Sequence, residues 1–404
     1  MVTQIAVSTE RMSTVPTVAH LVISLAHGGL ERLVVDWANR RNAQHPGSTR
    51  ICCLDEPGDL AAQVEAGALN CLHAQRGRLP WDAAAVRTLR YALLGTHSVS
   101  SQPFAIVHSH NLAAQQYAFL GRICTKVAHV HTQHGANIHN QGLVDRLRGR
   151  ALARFTHRLV AVSQSTAEAM QSAYGISRRR IAVIPNGIAP LSAGAGDGVS
   201  REEVRRPLGI PADAFVVGSI GRLDAVKGYD RLLSALASAA EGDATGADSL
   251  RRARLLLVGD GPARTALEAQ ARSLGFSGRV VFAGFRPDAR RLAEAMDLFV
   301  LPSRSEGLSV ALLEAMAAGV PVMATDAGDN RAILENGAAG IMLPPEESEW
   351  PRLLREQATE PGRRAAATRT ERARRRVEES YSMDSTLAAY EATYRAVTVG
   401  PETR

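Results

Sequence analysis

The chain has 404 residues, 45% apolar and 22% charged, with a formal net charge of +7, so two globular domains are expected, each large enough for its own core. Aromatic residues make up only 4%, which speaks against stacking on single-stranded nucleic acid, and no apolar run is long enough to span a bilayer. Cys52, Cys53, Cys71 and Cys124 form no C-x-x-C pair, which argues against a zinc knuckle or a disulfide framework.

Residues 1–16 read as an irregular extension, residues 1–15 lack a signal-peptide apolar core, and with cysteines that form no disulfide framework a reducing cytosol is the simplest expectation. A strand at 18–24 runs into Gly28 and Gly29 and then a helix at 30–41. That layout is either a phosphate cradle or a plain tight turn. Strands at 50–54 and 68–73 enclose a helical stretch at 61–67, and a longer helix follows at 83–94. The strand at 104–108 leads into His108, Ser109, His110 and Asn111, and the strand at 128–132 leads into Gln133, His134 and Gly135. His129 and His131 share one face of their strand, but no Cys, Asp or Glu stands at a spacing that completes a metal site, so a structural role ranks above a ligand role. The basic segment 146–158 forms an amphipathic helix, fit either for anionic lipid or as a solvated face. A strand at 159–162, a helix to Tyr174 and a strand at 181–184 complete this half.

Residues 189–200 are rich in Gly, Ala and Ser and read as a linker, after which the βα pattern restarts. Strands are expected at 215–220, 254–258 and 280–282, with helices at 229–240 and up to Leu274. Residues 297–326 form a strand–loop–helix–strand unit, followed by a short strand near 340–343. The segment 351–380 is helical and very basic, with seven arginines in the fourteen residues from Arg363 to Arg376. Interleaved glutamates favour a solvated helix over nucleic-acid binding. A last helix at 386–397 carries Leu387, Tyr390, Tyr394 and Val397 at near-helical spacing.

Chemistry concentrates in the second half. Arg222 and Lys227 lie in one loop at a strand's carboxyl end and can grip a diphosphate, although either alone reads as a solvated cation. Lys227 is one of two lysines, with Lys126, against 45 arginines. The chain has no D-x-D pair to hold a divalent ion, so positive side chains would have to neutralise a leaving diphosphate. Glu314, on the helix of the 297–326 unit, is placed to accept ribose hydroxyls. Glu306, just before that helix, is placed for sugar hydroxyls, with the N–H groups of Leu308 and Ser309 facing a phosphate.

With these residues assembled, the chain from about 17 to 397 resembles the retaining glycosyltransferases of family 4, with the GT-B architecture. The strongest match is S-E-G-L-S-V-A-L-L-E-A-M-A-A-G-V-P-V-M-A-T-D, similar to that family's E-x7-E signature. G-G-L-E-R (28–32), H-T-Q-H-G (131–135), V-A-V-S (160–163), P-N-G-I (185–188), G-R-L-x3-K-G (221–228) and V-G-D-G-P (258–262) support it.

The resemblance implies an α/β fold of two Rossmann-like domains facing across a cleft: an acceptor-side domain at 17–188, a linker at 189–210, a nucleotide-sugar domain at 211–380, and a helix at 381–397 crossing back to the first domain. It implies that Arg222 and Lys227 bind the donor diphosphate, approached by Gly28 and Gly29 from the other domain. Glu314 would hold the ribose, and Glu306, Gly307, Leu308 and Ser309 the donor sugar. His134 would support the oxocarbenium-like transition state, and Phe285 and Arg286 would border the base. Two departures stand out: Asp329 occupies a position where a second glycine is usual, and Leu308-Ser309 replaces the common Phe-Pro or Phe-Gly pair. The latter bears on the identity of the sugar rather than on the class.

The expectation is therefore a metal-independent, cofactor-free transferase acting on a glycan or lipid-linked acceptor in cell-surface polysaccharide synthesis. It would be cytoplasmic or peripheral on the inner face of a membrane, with no nucleic-acid partner. The alternatives are a GT-B sugar-nucleotide epimerase, a phosphorylase, and a non-catalytic anion-binding scaffold.

Overall fold

A computed structural model describes residues 15–26, 28–74, 81–96, 103–135, 142–189, 200–241, 250–286 and 288–398. The first half forms one parallel sheet from β1 (Val18–Val22), β2 (Thr49–Cys53), β3 (Leu69–Cys71), β4 (Ile106–His110), β5 (Ala128–Gln133), β6 (Arg158–Ala161) and β7 (Ile181–Val183). Their order is β3-β2-β1-β4-β5-β6-β7. The second half forms another from β8 (Val216–Ile220), β9 (Arg254–Val258), β10 (Val280–Gly284), β11 (Leu298–Leu301), β12 (Val322–Thr325) and β13 (Ile341–Leu343), ordered β10-β9-β8-β11-β12-β13. Each sheet reverses its strand order once, between β1 and β4 and between β8 and β11. Such a switch opens a crevice at the strands' carboxyl ends, where α/β sheets bind ligands.

Helices α1 (Gly29–Gln44), α2 (Ala83–Leu93), α3 (Leu112–Arg122), α4 (Leu143–Phe155) and α5 (Gln164–Tyr174) accompany the first sheet. The second carries α6 (Arg201–Arg205), α7 (Tyr229–Glu241), α8 (Arg264–Ser273), α9 (Ala289–Leu292), α10 (Val310–Ala317), α11 (Asn330–Ile333), α12 (Trp350–Ala358) and α13 (Glu360–Ser380). Strand residues alternate between two cores, as the period of two requires. Val18, Val22 and Ile106 pack with Trp37 of α1, while Ala19, Leu21 and Val107 pack with Leu89 of α2 and Tyr117 of α3. The last helix, α14 (Met383–Thr398), returns Tyr390 and Tyr394 to the first domain's core beside Trp37.

Four local expectations change. The segment 61–67 is a short 3-10 turn, Asp59–Gln63. Helix α3 was not foreseen; Asn111 precedes it at φ 74°, in the left-handed region that asparagine tolerates. The stretch 351–380 is two helices, broken at Thr359, whose extended backbone lets its hydroxyl accept from Gly362 N at 3.1 Å. The linker expected at 189–210 holds a helix, α6, opened by a Ser200–Glu203 capping box. Its Arg205, almost fully buried, donates to Asp297 at 2.7 Å and to the carbonyl of Ala295 at 2.9 Å, which fastens residues 200–210 to the second domain. Residues 190–199 of that expected linker lie outside the described residues.

The chain passes between the domains twice at one place. Ile188 N donates to Tyr381 O, and Met383 N to Ile188 O, each at 2.9 Å. Thr386 Oγ1 donates to Pro185 O, also at 2.9 Å. Gly187 makes this closeness possible: a Cβ there would stand 2.3 Å from the Ser382 carbonyl oxygen. Gly187→Ala is expected to push the two passages apart and to cost about 1–3 kcal/mol, as overpacking against backbone does. Urea unfolding measures this, and an unchanged midpoint would show that the crossing yields freely.

Candidate functional site

Because β8 and β11 are neighbours, the loops that follow them lie side by side at the second switch point. Gly228 takes φ 67°, and a Cβ on it would come within 2.2 Å of the Pro302 carbonyl oxygen, so glycine lets the two loops close together. The loops are then joined by charge. Lys227 Nζ donates to Glu306 Oε1 at 2.7 Å, and Ser303 Oγ donates to the same oxygen at 2.6 Å. Glu306 is nearly buried, whereas the Arg222 side chain is exposed and grips Asp224, holding that carboxyl below its usual range. The sequence assigns Lys227 and Glu306 to different parts of a ligand; the structure pairs them directly.

Helix α10 begins beside this pair. Ser309 caps it, accepting from Leu312 N, and the Leu308 side chain is buried in the second domain's core. Core packing and capping claim both side chains, which leaves the backbone N–H groups at the helix N-terminus to face a ligand. One turn on, Glu314 faces Arg290 of α9, with Oε1 3.9 Å from Nε. Burial pushes the Glu314 carboxyl up to about 6, opposed by Arg290 and Arg32 and reinforced by Asp36. Arg32 and Asp36 stand on α1 of the other domain, so charges from both domains act on this carboxylate.

From the first domain comes His134, just past β5. A Cβ added to Gly307 would lie 2.8 Å from the His134 carbonyl oxygen and 2.9 Å from Gly135 Cα. The E-x7-E loop and His134 therefore touch across the cleft. The His134 ring pairs Nε2 with His110 Nδ1 at 2.9 Å, and burial pushes it down to about 3, so the imidazole is neutral. Gly28, the N-cap of α1, has ordinary extended backbone, and only the Glu31 carboxylate stands where its Cβ would go. That carboxylate accepts from its own backbone N–H and so occupies the anion seat of α1, while space beside Gly29 is open. Phe285 and Arg286 follow β10, two strands from the switch point. Phe285 is partly exposed, and Arg286 makes a two-bond pair with Asp288 at 2.8 Å. His129 and His131 both bond Ser109 Oγ, the structural role expected of them.

Sequence reasoning missed Arg290, Asp36, Ser303 and the partnership of His110 with His134. Arg290 lies on a four-residue helix too short to show periodicity, in a chain where arginine is too common to mark a site. The H-S-H spacing did carry a signal, because it puts both rings on one strand face.

The raised Glu314 carboxyl gives a pH test. Its ordinary value is 4.5 and its value in the fold about 6. Between these the folded chain still holds a proton that the unfolded chain has released, so stability falls as pH rises through the window and the full cost stands above it. The displacement corresponds to about 2 kcal/mol. Glu314→Gln, which mimics the protonated form, should unfold at higher urea than the parent at pH 8 and at the same urea at pH 4. Equal midpoints at pH 8 would refute the buried-charge account.

Comparison with known proteins matches both halves. The family model described as Glycosyltransferase Family 4 matches residues 27–190, and the one described as Glycosyl transferases group 1 matches residues 200–374. A D-inositol 3-phosphate glycosyltransferase from Nocardia farcinica is 29% identical over 81% of this chain and 72% of its own length. A protein of the same name from Stackebrandtia nassauensis is 30% identical over 74% of this chain and 70% of its own. The crystal structure of Anabaena HepE in complex with UDP and glucose superposes with a TM-score of 0.77, at 22% identity, over 94% of this chain and all of that one. Two switch-point sheets facing across a cleft, with both halves matched, place the chain among the family 4 glycosyltransferases of GT-B architecture.

Proposed function

We propose that this protein moves a sugar from a nucleotide-diphospho-sugar to a glycan or lipid-linked acceptor in cell-surface polysaccharide synthesis, with retention of configuration and without metal or cofactor. The observation that carries this reading is the contact of Gly307 with the His134 carbonyl, which joins the charged loops and the histidine into one site. In this reading Arg222 and Lys227 hold the diphosphate at the N-terminus of α10, with Gly28 and Gly29 facing it from α1. Glu314 accepts the ribose hydroxyls, and Phe285 and Arg286 border the base. Glu306, released from Lys227, accepts hydroxyls of the sugar, which the backbone of Gly307, Leu308 and Ser309 flanks. The His134 carbonyl stabilises the positive charge that grows on the ring carbon. The acceptor oxygen attacks on the face the diphosphate leaves; the carbon–phosphate-oxygen bond breaks as the new bond forms, and the hydroxyl proton passes to the departing phosphate oxygen. Two cations and free N–H groups neutralise that leaving group in place of a metal.

The relatives are named for D-inositol 3-phosphate, and the Anabaena structure holds UDP and glucose, which makes UDP-sugars the first donors to try. Incubation with UDP-, GDP- and ADP-sugars should show thermal stabilisation by one class and release of its nucleotide. Lys227→Met should lower kcat/KM about 10²–10³-fold, as loss of one stabilising charge at a transition state does. No stabilisation by any sugar nucleotide would sink the reading.

Helix α4 supports a lipid-linked acceptor. Leu143, Val144, Leu147 and Phe155 are each more than half exposed, and Arg150 and Arg154 are exposed with them. No helix among the described residues is long and apolar enough to cross a membrane. An apolar stripe with basic neighbours instead suits a helix lying on anionic lipid. The protein should sediment with phosphatidylglycerol vesicles and not with phosphatidylcholine, and Leu143→Asp with Leu147→Asp should abolish this. Equal sedimentation of parent and variant would remove α4 from the membrane reading.

A further inference from the structure

Behind His134 lies a line of buried rings that the proposed transfer does not use. His110, at the end of β4, pairs its Nδ1 with His134 Nε2 at 2.9 Å and its Nε2 with His20 Nδ1 at 3.0 Å. His20 stands on β1, in register with His108. Trp37 of α1 packs over His110 and His134, 6.1 Å from each ring centre. His108 lies alongside, its nitrogens bonded to Tyr394 OH at 2.8 Å and Thr132 Oγ1 at 2.7 Å. Burial keeps these rings neutral: His20 and His134 are pushed down to about 3, and His110 falls well below its ordinary value.

A neutral imidazole has one N–H and one bare nitrogen. In a row of three joined through ring nitrogens, each contact needs one proton, so the tautomer at one end fixes the tautomer at the other. One state leaves N–H on His134 Nδ1; the other leaves that atom bare. Charge chooses between them. Arg41, ion-paired through Nε with Glu391, binds Pro16 O, Ser48 O and Thr49 Oγ1 through its other nitrogens, at the amino ends of β1 and β2, whereas His110 lies at the carboxyl end of β4. The His20 ring stands between, and the Arg41 charge acts on it. A cation on that side favours a bare Nε2 on His20, hence a proton on each Nδ1 along the row. His134 Nδ1 is itself shielded from water and has no partner among the described residues.

We propose that His110 and His20 are positioning residues that lock His134 in its Nδ1-protonated tautomer, so that this N–H is offered as a hydrogen-bond donor to an oxygen of the transferred sugar. The use of that donor rests on the transferase reading above; the lock itself does not. The cluster also contains three side chains, His20, His108 and His110, with ligand atoms within 4.8 Å of one another, a spacing a metal ion accepts. A metal there would break contacts that the relay explains, because both nitrogens of His108 and the facing nitrogens of His20 and His110 are already paired.

The test is ¹⁵N NMR of the full chain labelled at histidine, with His134 assigned by His134→Asn. The parent should show His134 protonated at Nδ1. His110→Asn, whose amide can still donate to His134 Nε2, should keep that signature and most of kcat. His110→Leu, and His20→Leu two rings from the sugar, should move His134 to the Nε2-protonated form. Both should lower kcat/KM for the donor about tenfold, as loss of one hydrogen bond to the sugar does. The relay is overturned if His134 stays Nδ1-protonated in both leucine variants, if the parent is already Nε2-protonated, or if a metal at one per chain copurifies and is lost in His20→Leu. If the tautomer moves as expected while the parent turns over no sugar nucleotide, the relay stands and the transferase reading alone falls.

Discussion

The chain crosses between its two sheets out and back, and the two passages are hydrogen-bonded to each other through Ile188, Tyr381 and Met383. Everything in the cleft depends on that junction. It sets where the two switch points stand relative to one another, and it does so with backbone bonds and a glycine that admits no side chain. Burial of Tyr390 and Tyr394 then anchors the returning helix in the first domain's core. The first domain is therefore completed by the chain's own far end.

The two walls of the cleft bring different chemistry. The second domain contributes ions: Lys227 with Glu306, Arg222 with Asp224, Arg290 near Glu314. The first adds Arg32 and Asp36 beside Glu314, but around His134 it contributes neutral rings and a carbonyl, with these histidines kept uncharged by burial. Such a division suits a reaction in which a negative leaving group and a positive ring carbon separate. Charge of one sign is met by cations, and charge of the other by an oxygen dipole that carries no net charge of its own.

The parallel sheets were legible because their strands are mostly buried and carry short apolar runs ended by glycine, proline or histidine; the second domain's strand at 254–258 falls where expected to the residue. The change of composition at 189–200 falls between the two sheets, after β7 and before β8. Short helices were not legible: α9 and α11 have four residues each, below the length at which a 3.6-residue period can show. Within the site, the loop residues Arg222, Lys227 and Glu306 and the helix residue Glu314 stood out by spacing, but the pairing of Lys227 with Glu306 did not, since it depends on two loops 79 positions apart meeting at adjacent strands. The burial of Leu308 was illegible for a related reason: a side chain beside Gly307 is as free to turn into the core as out of it, and only the packing decides.

The Lys227–Glu306 pair has a consequence for what the cleft rejects. A small anion that took Lys227 for itself would strand Glu306, a nearly buried carboxylate left with Ser303 as its hydrogen-bond donor. An uncompensated charge of that kind is costly, so free phosphate would gain little by entering. On the proposed transferase reading, a visitor carrying a negative group for the lysine and hydroxyls for the carboxylate on one rigid frame would satisfy both at once, so the closed pair would act as a two-key lock against simple anions before any shape is read.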